Sequence, residues 1–154
     1  MIDDDAMVTG SASITIDRPV AEVFEAVTDV TRMGEWSPEC TGCRWLGTDS
    51  AAVGATFEGD NVAKAGPVKL KKWTTTSEVT TLAPNETFEF VSEGYTTWRY
   101  DFEERDGSTV VTEKYSYAPS KGWQHFLYET VMRRSSSMET GMQATLDRVK
   151  LALE

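Results

Sequence analysis

The chain has 154 residues, of which 40% are hydrophobic and 26% charged, a composition typical of one folded domain. Asp and Glu number 25 against 15 Lys and Arg, which gives a net charge of −10 at pH 7. Because this surplus of negative charge opposes phosphate backbones, we expect no nucleic-acid binding. No apolar run approaches the roughly 20 residues of a membrane helix, so we expect no membrane insertion.

The start of the chain predicts a short tail. Residues 1–10 are expected to form this tail, and residues 11–154 a single domain. Asp3, Asp4 and Asp5 stand where a secretory signal peptide would carry basic residues. The sequence therefore predicts a cytoplasmic protein.

The first predicted elements are a strand and two short helices. The segment SASITID alternates apolar and polar residues, which places Ala12, Ile14 and Ile16 on one face of a strand. Asp17 precedes an Arg-Pro pair, so we expect it to cap a helix whose apolar positions begin at Val20. A second short helix, TRMGEW, is expected to end before Pro38.

Six further segments are predicted to be strands, because apolar and polar residues alternate in them and turn residues separate them. Their ranges are 43–47, 54–62, 69–82, 86–93, 96–104 and 108–117. The clearest turn signals are Gly66-Pro67, Pro84-Asn85 and Asp106-Gly107. Consecutive strands joined by short turns predict one antiparallel, strongly curved sheet.

The end of the chain predicts a long helix. From about Trp123 to Leu153 there is no proline and only one glycine. Apolar residues recur there at helical spacing, at Leu127, Val131, Met138, Met142, Leu146, Val149 and Leu153. Such a helix would be roughly 45 Å long at about 1.5 Å per residue. The whole order predicts an α+β domain in which this helix covers one face of the sheet.

Several stretches carry a resemblance to a known family. They are DRPVAEVFEAVTDVTRMGEWSPEC, VGATFEGDN, KKWTTTSEVTTLAPNETFEF, TTWRYDFEERDGSTVVTEKYSY and ETGMQATLDRVK, and together they cover nearly the entire chain from Ser11. In them the chain resembles the START-like (SRPBCC) superfamily, most closely its branch of polyketide cyclases, dehydrases and lipid transport proteins. The resemblance implies the helix-grip fold, a curved antiparallel sheet wrapped around a long C-terminal helix. This superfamily includes carriers, cyclases, receptors and chaperone activators, so the resemblance specifies the fold more closely than the function.

The resemblance also implies a cavity between the sheet and the long helix. Aromatic and methionine side chains on its walls would suit a flat or flexible apolar ligand, although the same side chains could fill a solid core. The candidate ligand-binding residues are Trp36 (near the mouth), Phe57, Asn61, Trp73, Thr75, Phe90, Trp98, Tyr100, Glu113, Tyr115, Phe126, Val131 and Met138.

Glu113 is the chemically most informative of these candidates. Its position in phase with apolar neighbours predicts a buried carboxyl, which is costly unless it is paired or protonated. A register error of one residue would instead place it outside. Glu113, His125 and Tyr115 are the weak catalytic candidates, since a cyclase needs an acid or base within reach of its substrate.

The two cysteines and the one histidine limit the metal and redox chemistry that we expect. Cys40, Cys43 and His125 could supply at most three zinc ligands, so the sequence predicts no metal site and no cofactor. The CTGC spacing resembles a redox dithiol, but it leads into a strand rather than opening a helix. Because positions three apart on a regular strand point to opposite faces, we expect two separate thiols.

Three functions are compatible with these residues. The favoured one is a carrier or sensor of a small hydrophobic molecule such as a lipid, isoprenoid or polyketide, because the inward faces carry few polar groups. The second is a polyketide aromatase or cyclase acting on a bound chain. The third is a protein-interaction module, with an apolar patch around Trp45, Trp123 and Phe126 that would bind a protein partner. Both a monomer and a homodimer are compatible with the sequence.

Overall fold

The computed structural model describes residues 7–65, 68–118 and 134–154. In chain order the elements are β1 (Val8–Ile16), α1 (Val20–Thr28), a 3₁₀ turn (Val30–Arg32), α2 (Met33–Trp36), β2 (Cys40–Leu46), β3 (Thr56–Ala65), β4 (Val68–Ala83), β5 (Thr87–Ser92), β6 (Thr96–Arg105), β7 (Ser108–Tyr117) and α3 (Arg134–Leu153). The predicted α+β class is confirmed, with two short helices after the first strand, a curved antiparallel sheet and a C-terminal helix.

The seven strands form one sheet in the order β1-β7-β6-β5-β4-β3-β2, with all neighbours antiparallel. Strand β1 therefore lies at one edge, beside the last strand of the chain. The β6–β7 hairpin has the predicted two-residue turn, in which Asp106 (φ 52°) and Gly107 (φ 84°) both adopt left-handed conformations. Such a turn matches the right-handed twist of the strands that it joins.

The first strand and the first helix begin differently from the predictions. Strand β1 starts at Val8, inside the residues predicted to be a tail. Helix α1 starts at Val20 with the extended Pro19 as its N-cap, so Asp17 does not cap it. The Asp17 carboxylate instead accepts a hydrogen bond from the Ser108 hydroxyl at 3.0 Å. Asp17 thus lies two residues before the N-cap position.

The core lies between the concave face of the sheet and the helices. Its fully buried aliphatic and aromatic members include Ile16, Val23, Val30, Phe88, Val111 and Leu146. Helix α3 packs chiefly against β1 and also contacts α2 and β7. Of the predicted helical stripe, Met142, Leu146 and Val149 are buried. The predicted helix start at Trp123, with Leu127 and Val131, lies outside the described residues, as does the Gly66-Pro67 turn.

Within residues 7–65, 68–118 and 134–154, the helices are too short or too polar to span a bilayer.

Candidate functional site

A cavity of about 590 Å³ lies between the concave face of the sheet, the segment from α2 to β2, and helix α3. This volume lies within the range of pockets that hold small-molecule ligands. Eight of the predicted candidates line it, namely Phe57, Asn61, Trp73, Thr75, Phe90, Trp98, Tyr100 and Glu113.

Aromatic rings form much of the sheet side of the cavity. Alternation along β3 and β5 points Phe57 and Phe90 inward, and their rings meet edge to face with centroids 5.0 Å apart. Trp45 packs against the other side of Phe57 in the same manner, at 5.4 Å. Because each ring is fixed by another ring, this wall is formed before any ligand enters.

Helix α3 presents small side chains to the cavity. Its lining residues include Thr140, Gly141, Ala144 and Thr145. The Thr145 hydroxyl donates a hydrogen bond to the Gly141 carbonyl at 2.9 Å, so its polar group is satisfied within the helix. An added Cβ at Gly141 would lie 3.6 Å from Cγ of Pro38, on the facing segment. Small residues along this face therefore keep the space between helix and sheet open.

Asn61 and Thr75 form a polar patch whose hydrogen bonds are made internally. The Asn61 amide donates to the Thr75 hydroxyl and to the Gly59 carbonyl, each at 3.2 Å. A ligand is therefore not needed to satisfy this amide.

Glu113 differs from that patch because one of its oxygens lacks a partner. It is 4% exposed, and among the described residues none makes a hydrogen bond to its Oε1. It lies opposite Tyr100 in the β6–β7 register. Burial raises the pKa of Glu113 to about 8, and the hydrogen bond from Tyr100 opposes part of that rise. At neutral pH the side chain is therefore mainly an uncharged acid facing the cavity.

Burial also raises the pKa of Tyr100, and the nearby Glu113 carboxyl adds to that effect. The phenol therefore keeps its proton across the neutral range. The protonated phenol of Tyr100 and the protonated carboxyl of Glu113 therefore lie next to each other on the cavity wall.

The expectation that the two cysteines point to opposite faces is wrong. Cys40 pairs with Asn61 and Cys43 pairs with Gly59, so three steps along β2 match two steps along β3. The extra residue, Thr41, makes a β-bulge. Both thiols consequently face the cavity, with their Sγ atoms 3.3 Å apart. In the part of the chain that the structure describes, no group of three or more His, Cys, Asp or Glu side chains could hold a metal ion.

A model of the family described as polyketide cyclase / dehydrase and lipid transport matches residues 7–154. The chain belongs to this family. The resemblance found from the sequence is thereby confirmed. The description covers both enzymes and transport proteins, so membership leaves the choice between them open.

Solved structures show the same fold. A polyketide cyclase-like protein from Corynebacterium glutamicum is 29% identical, with 95% of this chain and 88% of that chain covered and a TM-score of 0.59. A protein from Mycobacterium smegmatis is 19% identical, with 98% and 93% covered and a TM-score of 0.69. The di-domain ARO/CYC StfQ from the steffimycin biosynthetic pathway is 12% identical, with 96% of this chain and 50% of that chain covered and a TM-score of 0.71. Among the curated proteins no match was found.

In this member of the polyketide cyclase / dehydrase and lipid transport family, two predicted site residues lie away from the cavity wall. Trp36 is 3% exposed in the core rather than at the mouth, with the Arg32 guanidinium 4.9 Å from its ring centroid. Tyr115 is buried against Trp98 and Tyr117, with centroids 5.8 and 6.1 Å away. Phe126, Val131 and His125 lie outside the described residues, as does the side chain of Met138.

Sequence reasoning missed two parts of this family member's cavity. The position of both thiols on the cavity wall was missed because no residue pattern around Thr41 indicates a bulge. The small residues of α3 left a weak signal, since Gly141 and Ala144 are three apart and so share a helix face. Small residues in an otherwise apolar stripe indicate a place where a helix leaves space.

Proposed function

We propose that this protein binds a small apolar molecule in the cavity between its sheet and α3, as a carrier or sensor. The observation that carries the proposal is the cavity itself, about 590 Å³ with aromatic walls and one buried carboxyl whose Oε1 is unpartnered among the described residues. The side chains around an empty apolar cavity of this size lack dispersion contacts on the side that faces it. An apolar ligand that supplied those contacts would therefore stabilise the fold.

Glu113 narrows the class of ligand. A protonated carboxyl donates a hydrogen bond, so it suits a ketone or another neutral acceptor oxygen. A carboxylate ligand would place a negative charge in a low-dielectric site of a protein that already carries a net charge of −10. Among lipids, isoprenoids and polyketides, the proposed ligands are therefore those with a neutral carbonyl near one end.

This ligand class is tested with two probes that differ in one oxygen, acetylnaphthalene and its hydrocarbon counterpart ethylnaphthalene. We expect wild-type protein to bind the ketone about tenfold more tightly, because one hydrogen bond contributes about 1–1.5 kcal/mol. Glu113→Leu should abolish that preference and leave the affinity for ethylnaphthalene similar or higher. Isothermal titration calorimetry measures both affinities.

Two variants at Gly141 control for the location of binding. Gly141→Phe should fill the space between α3 and Pro38 and weaken both probes, whereas Gly141→Ala adds only an ordinary contact and should bind both like wild type. A ketone preference that survives in Glu113→Leu would contradict the role of Glu113. Equal binding by Gly141→Phe and wild type would contradict the proposal that the probes bind in the cavity.

The same carboxyl favours a second candidate function, an aromatase or cyclase acting on a bound polyketide chain. Glu113, with its pKa of about 8 and Tyr100 beside it, could act at neutral pH as a general acid. It would give its proton to a hydroxyl that leaves as water during ring closure. The family description and the name of the ARO/CYC relative support this candidate.

The mass of the bound molecule distinguishes the two candidates. Native mass spectrometry of protein from its own host should show one apolar adduct per chain. Under the carrier function, a linear polyketone loaded onto the protein is recovered with its mass unchanged. Recovery of a product lighter by one water would favour the cyclase. A ligand-free mass that persists after addition of a lipid extract would contradict both.

The third function predicted from the sequence, a protein-interaction module, finds less support. Of its three patch residues, Trp45 packs edge to face against Phe57. Trp123 and Phe126 lie outside the described residues.

A further inference from the structure

The chain contains two cysteines, and the fold brings both of them to one wall of the cavity. Cys40 and Cys43 are free thiols whose Sγ atoms lie within hydrogen-bond distance, 3.3 Å apart. Neither the carrier function nor the cyclase function uses them.

The bulge at Thr41 gives the pair the spacing of a disulfide. Because the two cysteines lie opposite Asn61 and Gly59, their backbones are separated by two strand steps, or about 6.6 Å at 3.3 Å per residue. Disulfides form between residues whose Cα atoms are up to about 6.8 Å apart. On a regular strand, residues three apart would be separated by about 10 Å and would point to opposite faces.

The two thiols are coupled through one hydrogen bond, in which either sulfur can be the donor. That hydrogen bond lowers the pKa of Cys40, although burial works against this. The same hydrogen bond and burial raise the pKa of Cys43. When one sulfur is ionised, the remaining thiol stabilises its thiolate.

Gly59 leaves room for the pair on the facing strand. A Cβ at that position would lie 3.0 Å from the Cys43 Sγ and 3.8 Å from the Cys40 Sγ. An added Cβ would therefore displace the Cys43 sulfur by a few tenths of an ångström, whereas its contact with the Cys40 sulfur would be an ordinary one. The pair thus occupies a fitted space rather than a loose surface.

We propose that Cys40 and Cys43 form a reversible dithiol–disulfide site, reached through the ligand cavity and oxidised by small disulfides. One of the two thiols, as its thiolate, attacks one sulfur of the small disulfide, forms a mixed disulfide and releases the first small thiolate. The other thiol then loses its proton and displaces the second small thiolate, which closes the internal disulfide. Two protein thiols are oxidised, one small disulfide is reduced to two thiols, and the two protons pass to the released thiolates.

Bis(2-hydroxyethyl) disulfide, which is small and uncharged, serves as the probe. Reduced protein is incubated with it, blocked with N-ethylmaleimide and weighed by intact-mass spectrometry. We expect wild-type protein to lose two hydrogens, take up no maleimide and remain uncrosslinked between chains. Wild-type protein that still takes up two maleimides, keeps a mercaptoethanol adduct on both cysteines or forms crosslinked dimers would overturn the proposal.

Single variants test whether each cysteine needs the other. Cys43→Ser and Cys40→Ser should each stop at a mixed disulfide with one mercaptoethanol, because no second thiol is left to displace it. Thermal unfolding of each variant verifies that it is folded. A single variant that ends free of both the adduct and reactive thiol would overturn the proposal.

The route through the cavity is tested without any ligand, so its outcome does not depend on the proposed binding function. In the Cys43→Ser background, adding Gly141→Phe should slow the formation of the mixed disulfide severalfold, and adding Leu151→Phe on the exposed face of α3 should not. Equal rates in all three proteins would overturn the cavity as the route.

Discussion

Glu113→Gln is expected to remove most of the loss of stability that wild-type protein shows between pH 4.5 and 8. In the folded state burial raises the pKa of Glu113 to about 8, whereas the ordinary value that applies on unfolding is 4.5. Between these values the unfolded chain releases a proton that the folded chain keeps. Stability is therefore complete below pH 4.5 and falls until the pH passes about 8.

The expected size of this effect is large for one side chain. Each pH unit between 4.5 and 8 lowers the free energy of unfolding by about 1.4 kcal/mol, so the total loss over this range is about 5 kcal/mol. Glutamine has the shape of the protonated acid but does not titrate, so the variant should be the more stable protein at pH 8. Urea unfolding at several pH values between 4.5 and 8.5 measures the slope for both proteins.

Glu104→Gln is the matched control, because Glu104 is an exposed residue of β6. A carboxylate that stays in water in both states contributes little to the slope, so this variant should follow wild type. Parallel curves for wild type and Glu113→Gln would show that Glu113 is ionised in the folded protein. The ligand class proposed above would then be wrong as well.

Leu146→Ala is expected to destabilise the protein by about 2–5 kcal/mol, the usual range for a leucine removed from a packed core. Leu146 is fully buried on the face of α3 that packs into the core. Leu151 lies on the same helix and is 82% exposed, so Leu151→Ala should change stability by less than about 0.5 kcal/mol. Urea unfolding of the pair compares one residue type in two environments.

Similar effects from the two leucine variants would contradict the packing of α3 on the sheet. Because the helix forms one wall of the cavity, that result would also contradict the existence of the cavity as described. A large effect for Leu146→Ala alone would confirm that α3 is held by its buried stripe.

The sheet and the inward position of Glu113 were predictable because strand faces follow from a local period of two. Alternation from Val111 to Tyr117 places Glu113 between buried neighbours without reference to any distant residue. The Asp106-Gly107 turn was predictable for a similar reason, since its backbone demands residues that tolerate positive φ. These features depend on a few adjacent residues.

The shape of the cavity was not predictable in the same way, because it depends on how distant elements pack. Trp36 and Tyr115 have the residue type and the face of pocket residues, yet both are packed into the core. At Thr41 one extra residue reversed the facing of Cys40 relative to Cys43. A bulge leaves no periodic signal, so counting along the strand gave the wrong face.

The pairing of β1 with β7 has a consequence for synthesis on the ribosome. Ser13 and Thr112 share a hydrogen bond although they lie 99 positions apart, so the first strand emerges long before its partner does. Because the ribosome adds about 5–20 residues per second, β1 remains without its hydrogen-bonding neighbour for roughly 5–20 s. The hairpins that follow in the chain can therefore form the sheet first, and β1 can pair with β7 last.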